Sequence, residues 1–120
     1  MQISSDHYDV IIIGGGAIGL SVAYHLGHRL SSGKKNKILL LERNQLTSGT
    51  SWHAAGIVGP LRATPNMTKL ATYAIHLFPQ LEDETGQATG YRRTGGYWFA
   101  RALERHNEIH RIAAVGKNFG

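Results

Sequence analysis

A glycine-punctuated turn, Gly14-x-Gly16-x-x-Gly19, stands between a β-branched run and an apolar helical pattern. It restricts what the chain can fold into more than any other stretch. Tyr8-Asp9-Val10-Ile11-Ile12-Ile13 is apolar on both faces of a strand, as a buried parallel strand is and a half-exposed antiparallel one is not. Beyond the glycines, Ile18, Val22 and Leu26, with Ala17 and Ala23 among them, recur at helical spacing up to about Arg29. Ser31-Ser32-Gly33 with Lys34, Lys35 and Lys37 forms a polar turn, and Ile38-Leu39-Leu40-Leu41 is a second strand that ends at Glu42. Strand, helix, strand implies a right-handed crossover and a parallel pair. The fold class is therefore α/β, opening with a Rossmann-like unit whose sheet is parallel.

Each glycine of the turn has a task. Gly14 allows the tight bend, Gly16 lets a pyrophosphate approach the backbone, and Gly19 lets helix and strand pack closely. The free N–H groups at the helix start combine with the helix dipole to hold phosphate charge, and Gly14, Gly15, Gly16, Ile18 and Gly19 are the candidate cofactor-binding residues there. Glu42 lies 23 residues after Gly19, near the interval of roughly 20 expected for an acidic residue that accepts hydrogen bonds from ribose hydroxyls. A carboxylate there repels a 2′-phosphate and disfavours NADP. The extra residues of "LGHRLSSGKKNK" fall at the outer turn, remote from the phosphate end. This chemistry does not separate NAD from FAD.

A glycine-containing polar stretch runs from Gly56 to Pro65. Met67, Leu70, Ala71, Ala74, Leu77, Phe78 and Leu81 then fall at helical spacings, with Asn66 as N-cap, or Thr64 with Pro65 at the first position. Gly86 is a natural stop, and Pro79 should kink or divide the helix. "TGYRRTGGYWFARA" reads as two short strands about Thr94-Gly95-Gly96, and a last helix spans roughly Leu103 to Val115. The formal net charge is +5, but the lysines after the first helix lack interleaved aromatics, so a solvated loop is preferred to a nucleic-acid site. No cysteine is present, which fits a reducing compartment. No run approaches the roughly 18 apolar residues of a membrane span. No targeting segment is visible, so the cytoplasm or the mitochondrial matrix is expected. The chain stops directly after a helical run and reads as part of a longer enzyme.

"DVIIIGGGAIGLSVAYHL", "ILLLERNQLTSGTSWHAAGIVG" and "LEDETGQATGYRRTGGYWFA" together resemble the N-terminal part of FAD-dependent amine oxidoreductases of the D-amino-acid-oxidase superfamily. The sarcosine and dimethylglycine dehydrogenase branch matches best, over nearly the whole chain and more weakly after Arg101. The stretch from Glu42 to Gly56 is far more specific than the glycine motif. In that branch the His of a Thr-Trp-His-x-Ala-Gly-like motif carries FAD through a covalent bond to the flavin's 8α-methyl group. His53 matches it through Trp52, Ala55 and Gly56, with Ser51 where Thr is often seen. The resemblance further places Glu42 and Arg43 near the adenosine end, and Ser48, Gly49, Thr50 and Ser51 beside the pyrophosphate and ribityl chain. It implies that residues 1–66 start the FAD-binding domain, with its βαβ unit and flavin loop. Residues 67–120 would supply a helix, a hairpin and a helix leading into a mixed α+β substrate domain, the remainder of both domains lying outside this chain.

A neutral imidazole has a nitrogen lone pair able to attack an electrophilic flavin carbon, and the small residues after His53 leave room for a flat ring system. The implied activity is oxidation of a small N-methylated amine or amino acid, of the sarcosine or dimethylglycine type, by hydride transfer to FAD. Electrons would leave to an acceptor protein or to oxygen, and a missing C-terminal region could bind tetrahydrofolate. The catalytic residues are not identifiable in this stretch. Two other readings stay open: a non-catalytic regulatory subunit on the same fold, of which the pyruvate dehydrogenase phosphatase example lacks the flavin-linking His, and a plain NAD-binding dehydrogenase. His106 and His110, four apart on a helix, lack a third ligand and read as a solvated face, so no metal site is assigned. His25 and His28 suit the C-terminal end of the first helix. Arg62, Arg92 and Arg93 could pair with a substrate carboxylate, and Tyr97, Trp98 and Phe99 read as sheet packing.

Overall fold

The computed structural model describes residues 7–30 and 37–119. The expected turn over Ser31, Ser32, Gly33, Lys34 and Lys35 lies outside them, as does most of the N-terminal stretch before Tyr8. The chain divides into two compact units between Gly56 and Ile57.

The first unit contains β1 (Val10–Ile13), α1 (Ala17–Leu30) and β2 (Ile38–Leu41). The strands pair in parallel with Val10 opposite Ile38 and Ile13 opposite Leu41. Below the ladder, Asp9 N–H donates to the Lys37 carbonyl at 2.9 Å, and Lys37 N–H to Asp9 Oδ2 at 2.8 Å. Above it, Gly14 N–H donates to the Leu41 carbonyl at 2.7 Å. The strand–helix–strand reading and the parallel pairing are as expected from the sequence.

Burial is one-sided. Ile12 is buried at 9% exposure and lies toward Gly19 of α1, whereas Ile11 and Ile13 are 56% and 87% exposed. Successive strand side chains face opposite ways, and a single crossover helix covers one face of a two-stranded sheet. The sequence pattern of a strand buried on both faces is thus met on one face among the described residues. The helix also turns inward a side offset from the expected Ile18–Val22–Leu26 row, with Leu20, Ala23, Tyr24 and Leu26 half-buried. Ile18 and Val22 are exposed, and it is Gly19 that meets the strand.

The second unit is built on α2 (Pro65–Thr85) and α3 (Leu103–Gly116), with a 3₁₀ turn over Lys117–Phe119. Thr64 is the N-cap of α2, accepting from Met67 N–H at 3.4 Å, with Pro65 at the first helical position. Of the two expected caps the structure selects Thr64, because Pro65 has no N–H to leave unsatisfied. Gly86 closes the helix in the left-handed conformation, and α2 runs undivided through Pro79. Thr68 is the buried anchor. Its Oγ1 accepts from Arg62 N–H at 3.0 Å and donates to the Arg62 carbonyl at 3.3 Å, pinning the approach to the helix. Beyond α2, Glu82 Oε1 accepts from the Thr89 N–H and hydroxyl at 2.7 and 2.6 Å, and Tyr91 stacks on Phe78.

The hairpin expected over residues 89–102 is not formed. That stretch has no strand pairing among the described residues, and Thr94 N–H closes a tight local bond to the Arg92 carbonyl at 3.0 Å. A two-stranded hairpin is marginal without a third strand or an apolar surface to lie on. Here Tyr97 and Phe99 are about nine-tenths exposed, so nothing rewards the ladder.

Candidate cofactor site

The glycine turn is shaped by two close approaches. Gly14 has φ +108°, open to glycine and strained for any other residue. A Cβ on Gly19 would overlap the carbonyl oxygen of Gly14 and come within 3.1 Å of its carbon. The turn therefore brings the start of α1 onto the end of β1. In this arrangement the N–H groups of Gly16, Ile18 and Gly19 find no acceptor among the described residues. Three free donors at the N-terminus of a 14-residue helix are the equipment for an anion, and they fit the pyrophosphate of a dinucleotide.

At the C-terminal ends of both strands lies a concavity of about 320 Å³ lined by Ile13, Gly14, Leu41, Glu42 and Arg43. Open α/β sheets take their ligands there. That volume suits one end of a dinucleotide rather than all of it. Glu42 borders the hollow with both carboxylate oxygens engaged: Oε2 accepts from Gly15 N–H at 2.7 Å and Oε1 from Asn44 N–H at 2.9 Å. The Gly15 bond first, then the Asn44 bond, holds its carboxyl below the usual carboxylate range. An ionised carboxylate oxygen has two lone pairs, so each still has one to offer a ribose hydroxyl.

The loop after β2 folds back on the turn. Thr47 N–H donates to the Gly15 carbonyl at 2.9 Å, and Ser51 Oγ accepts from Ala17 N–H at 2.9 Å. Thr50–His53 forms a 3₁₀ turn, whose Trp52 N–H is shared between the carbonyls of Thr47 and Gly49 at 3.1 and 3.2 Å. His53 is exposed, and its Nδ1 lies 3.1 Å from the Gly49 carbonyl. A carbonyl only accepts, so the proton of neutral His53 sits on Nδ1 and the Nε2 lone pair remains available.

The expected site residues thus fall into groups. Gly14, Gly15, Gly16, Ile18 and Gly19 form the turn, Glu42 and Arg43 line the hollow, and Ser51 reaches the helix start. Gly49 holds His53. Ser48 and Thr50 shape the loop without a side-chain hydrogen bond to the turn among the described residues. Sequence reasoning missed Asn44, which shares Glu42, and Leu46, whose Cδ2 covers Gly15. It also missed Thr47, a β-branched residue at φ +63°. Asn44 had a local signal in its turn propensity two residues past an acid. A left-handed Thr has none.

In the second unit, the Nε2 atoms of His106 and His110 lie 3.2 Å apart. No third His, Cys, Asp or Glu joins them to form a metal cluster among the described residues. Arg105 stands 5.6 Å from the Trp98 ring centre.

Residues 9–120 match the family described as FAD dependent oxidoreductase. The chain belongs to that family. It is 45% identical over 103 residues to 4-methylaminobutanoate oxidase (formaldehyde-forming) of Paenarthrobacter nicotinovorans, covering 86% of this chain and 12% of that protein. With human mitochondrial sarcosine dehydrogenase it shares 38% identity over 113 residues, 93% of this chain and 12% of the relative. The mouse mitochondrial pyruvate dehydrogenase phosphatase regulatory subunit is 42% identical over 103 residues, covering 86% of this chain and 11% of that protein. Among solved structures, glycine oxidase from Bacillus cereus superposes with a TM-score of 0.73 at 34% identity, over 95% of this chain and 32% of that one. The chain therefore spans about an eighth of the curated relatives it matches. Membership agrees with the resemblance carried by the glycine turn and the Glu42–Gly56 stretch. It favours FAD over NAD as the dinucleotide. Among the described residues, no helix is long and apolar enough to cross a membrane.

Proposed function

We propose that this chain is the cofactor-binding start of an FAD-dependent oxidoreductase acting on a small N-methylated amine or amino acid of the sarcosine or dimethylglycine type, with the flavin bonded to His53. The first unit begins the FAD-binding domain, and the second leads into the substrate domain. The observation that carries this reading is the position of His53. It rides on a 3₁₀ turn whose neighbour Ser51 reaches the very helix start that carries the free amides. One loop therefore leads from the phosphate-binding turn to an imidazole with a free Nε2.

Bound FAD supplies the two-electron acceptor that takes hydride from the carbon beside the amine nitrogen. The chain's own contribution is placement. Gly16, Ile18 and Gly19 offer amides to the pyrophosphate, and Glu42 accepts from the ribose. Gly49 keeps the His53 proton on Nδ1. His53 would hold the flavin through Nε2 at the 8α carbon, giving up its Nδ1 proton as that linkage forms. During turnover, electrons leave to an acceptor protein or to oxygen. A tetrahydrofolate region beyond this chain would capture the one-carbon product, and of the cytoplasm and the mitochondrial matrix the mitochondrial relatives favour the mitochondrion.

A second reading follows from the 42% identity to the phosphatase regulatory subunit: a non-catalytic partner on the same fold. The Trp52-His53-Ala54-Ala55-Gly56 sequence favours the enzyme. The test is to precipitate the full-length protein with acid, run a denaturing gel and look for flavin fluorescence in the band. The wild type is expected to fluoresce and His53→Ala not to. Release of all flavin from the wild type into the supernatant would refute the linkage, and absence of flavin altogether would favour the regulatory reading.

A further inference from the structure

We propose that Ser51 is a positioning residue, a side-chain strap that caps α1 from 34 residues away and so sets the register between the phosphate turn and His53. The inference rests on the reading of His53 given above. The free amides of a helix's first turn are usually capped by a residue just before it in sequence. Here the preceding residues are glycines with no side chain to offer, and the acceptor for Ala17 N–H is Ser51 Oγ at 2.9 Å. The backbone makes a second tie four residues earlier, from Thr47 N–H to the Gly15 carbonyl at 2.9 Å. Just past the second tie, Trp52 N–H donates back to the Thr47 carbonyl at 3.1 Å.

The loop Thr47–Ser51 is thus tied at both its ends to the segment Gly15–Ala17, and His53, in the 3₁₀ turn that Ser51 enters, is two residues beyond the second tie. Thr47 keeps φ +63°, a conformation a β-branched residue holds only where its surroundings over-determine it. A Cβ on Gly16 would stand 3.2 Å from Ser51 Oγ, so the hydroxyl fills the space that Gly16 leaves open. One lone pair of the hydroxyl is thereby engaged by the protein, and the amides left for the pyrophosphate are those of Gly16, Ile18 and Gly19.

The test compares Ser51→Val with Ser51→Thr, which have the same shape and differ in the hydroxyl. Amide hydrogen exchange is measured in the flavin-free full-length protein over residues 14–20 and 47–54. Ser51→Val is expected to speed exchange in both segments by about two- to thirtyfold, the range spanned by loss of a helix cap, and Ser51→Thr to stay near wild type. At saturating FAD, Ser51→Val should also form the fluorescent acid-stable band more slowly than Ser51→Thr. Faster exchange confined to residues 14–20 would overturn the strap. So would an unchanged rate of band formation in Ser51→Val together with weakened FAD binding, the pattern of a direct cofactor contact. If the wild type forms no such band, the His53 reading fails, and the exchange in the two segments still decides the strap.

Discussion

Gly19→Ala tests the geometry on which the cofactor site depends. The added Cβ would overlap the Gly14 carbonyl oxygen, lie 3.1 Å from the Gly14 carbon and meet Ile12 Cγ2 at 3.4 Å. Two of these three neighbours are backbone atoms, so no rotamer change can relieve the contact. Relief requires α1 to lift off β1, and that same movement displaces the free amides of Gly16 and Ile18. Overpacking costs typically 1–3 kcal/mol, and a clash against backbone belongs at the upper end, about 3 kcal/mol. Domains have about 5–15 kcal/mol of stability, so the variant should still fold while its unfolding equilibrium constant rises about a hundredfold.

The assay is urea unfolding of the flavin-free protein beside the flavin content of protein purified with excess FAD. Gly27→Ala is the control. It lies in the same helix with nothing within 4 Å of the added Cβ, and removing a mid-helix glycine should stabilise by roughly 0.5–1 kcal/mol. The expected result is opposite signs for two identical substitutions eight residues apart, with flavin lost in Gly19→Ala alone. A Gly19→Ala protein that unfolds within about 0.5 kcal/mol of wild type and keeps its flavin would refute the close approach.

Two further substitutions probe the surroundings. Glu42 has its folded pKa held down by the Gly15 and Asn44 amides, so the stability it contributes is complete above the unfolded carboxylate value of about 4.3 and is lost as pH falls through the lower folded value. Glu42→Gln should shallow the acid limb of a stability–pH curve, while Glu82 and Glu108, lowered by their own partners, remain in both proteins. Superimposable acid limbs would exclude the carboxylate from the turn. In the second unit, Thr68→Val keeps the shape but leaves the Arg62 N–H without its 3.0 Å acceptor, at a cost of about 1–3 kcal/mol in chemical denaturation. A neutral result there would mean that water replaces the hydroxyl.

What the sequence disclosed was mostly local. The parallel pair, the helix after the glycines and the Thr64–Gly86 limits of α2 follow from short patterns, because caps, glycines and β-branched runs act within a few residues. The inward face of α1 was not legible from hydrophobic spacing. Ile18 and Val22 of the expected row are exposed while Leu20 and Leu26 are half-buried, and where the helix meets β1 it presents Gly19, which has no side chain. The hairpin failed for the complementary reason. Aromatic residues around a Thr-Gly-Gly turn state a preference, but a ladder also needs a surface to lie on, and Tyr97 and Phe99 have none among the described residues.

The site shows the same division at finer grain. Residue types told which groups could meet a dinucleotide: glycines for a phosphate, a carboxylate at a strand end, an imidazole among small residues. They could not tell how those groups engage one another, since every bond joining the turn to the loop spans at least 27 residues. Glu42 to Gly15, Thr47 to Gly15 and Ser51 to Ala17 all converge on three consecutive residues of the turn, Gly15 to Ala17. Phosphate site and histidine loop are therefore one mechanical element. A substitution at the turn should alter the environment of His53 as surely as one beside it. In Gly19→Ala, the reasoning requires residues 47–54 to exchange faster along with residues 14–20, although nothing in the loop has been changed.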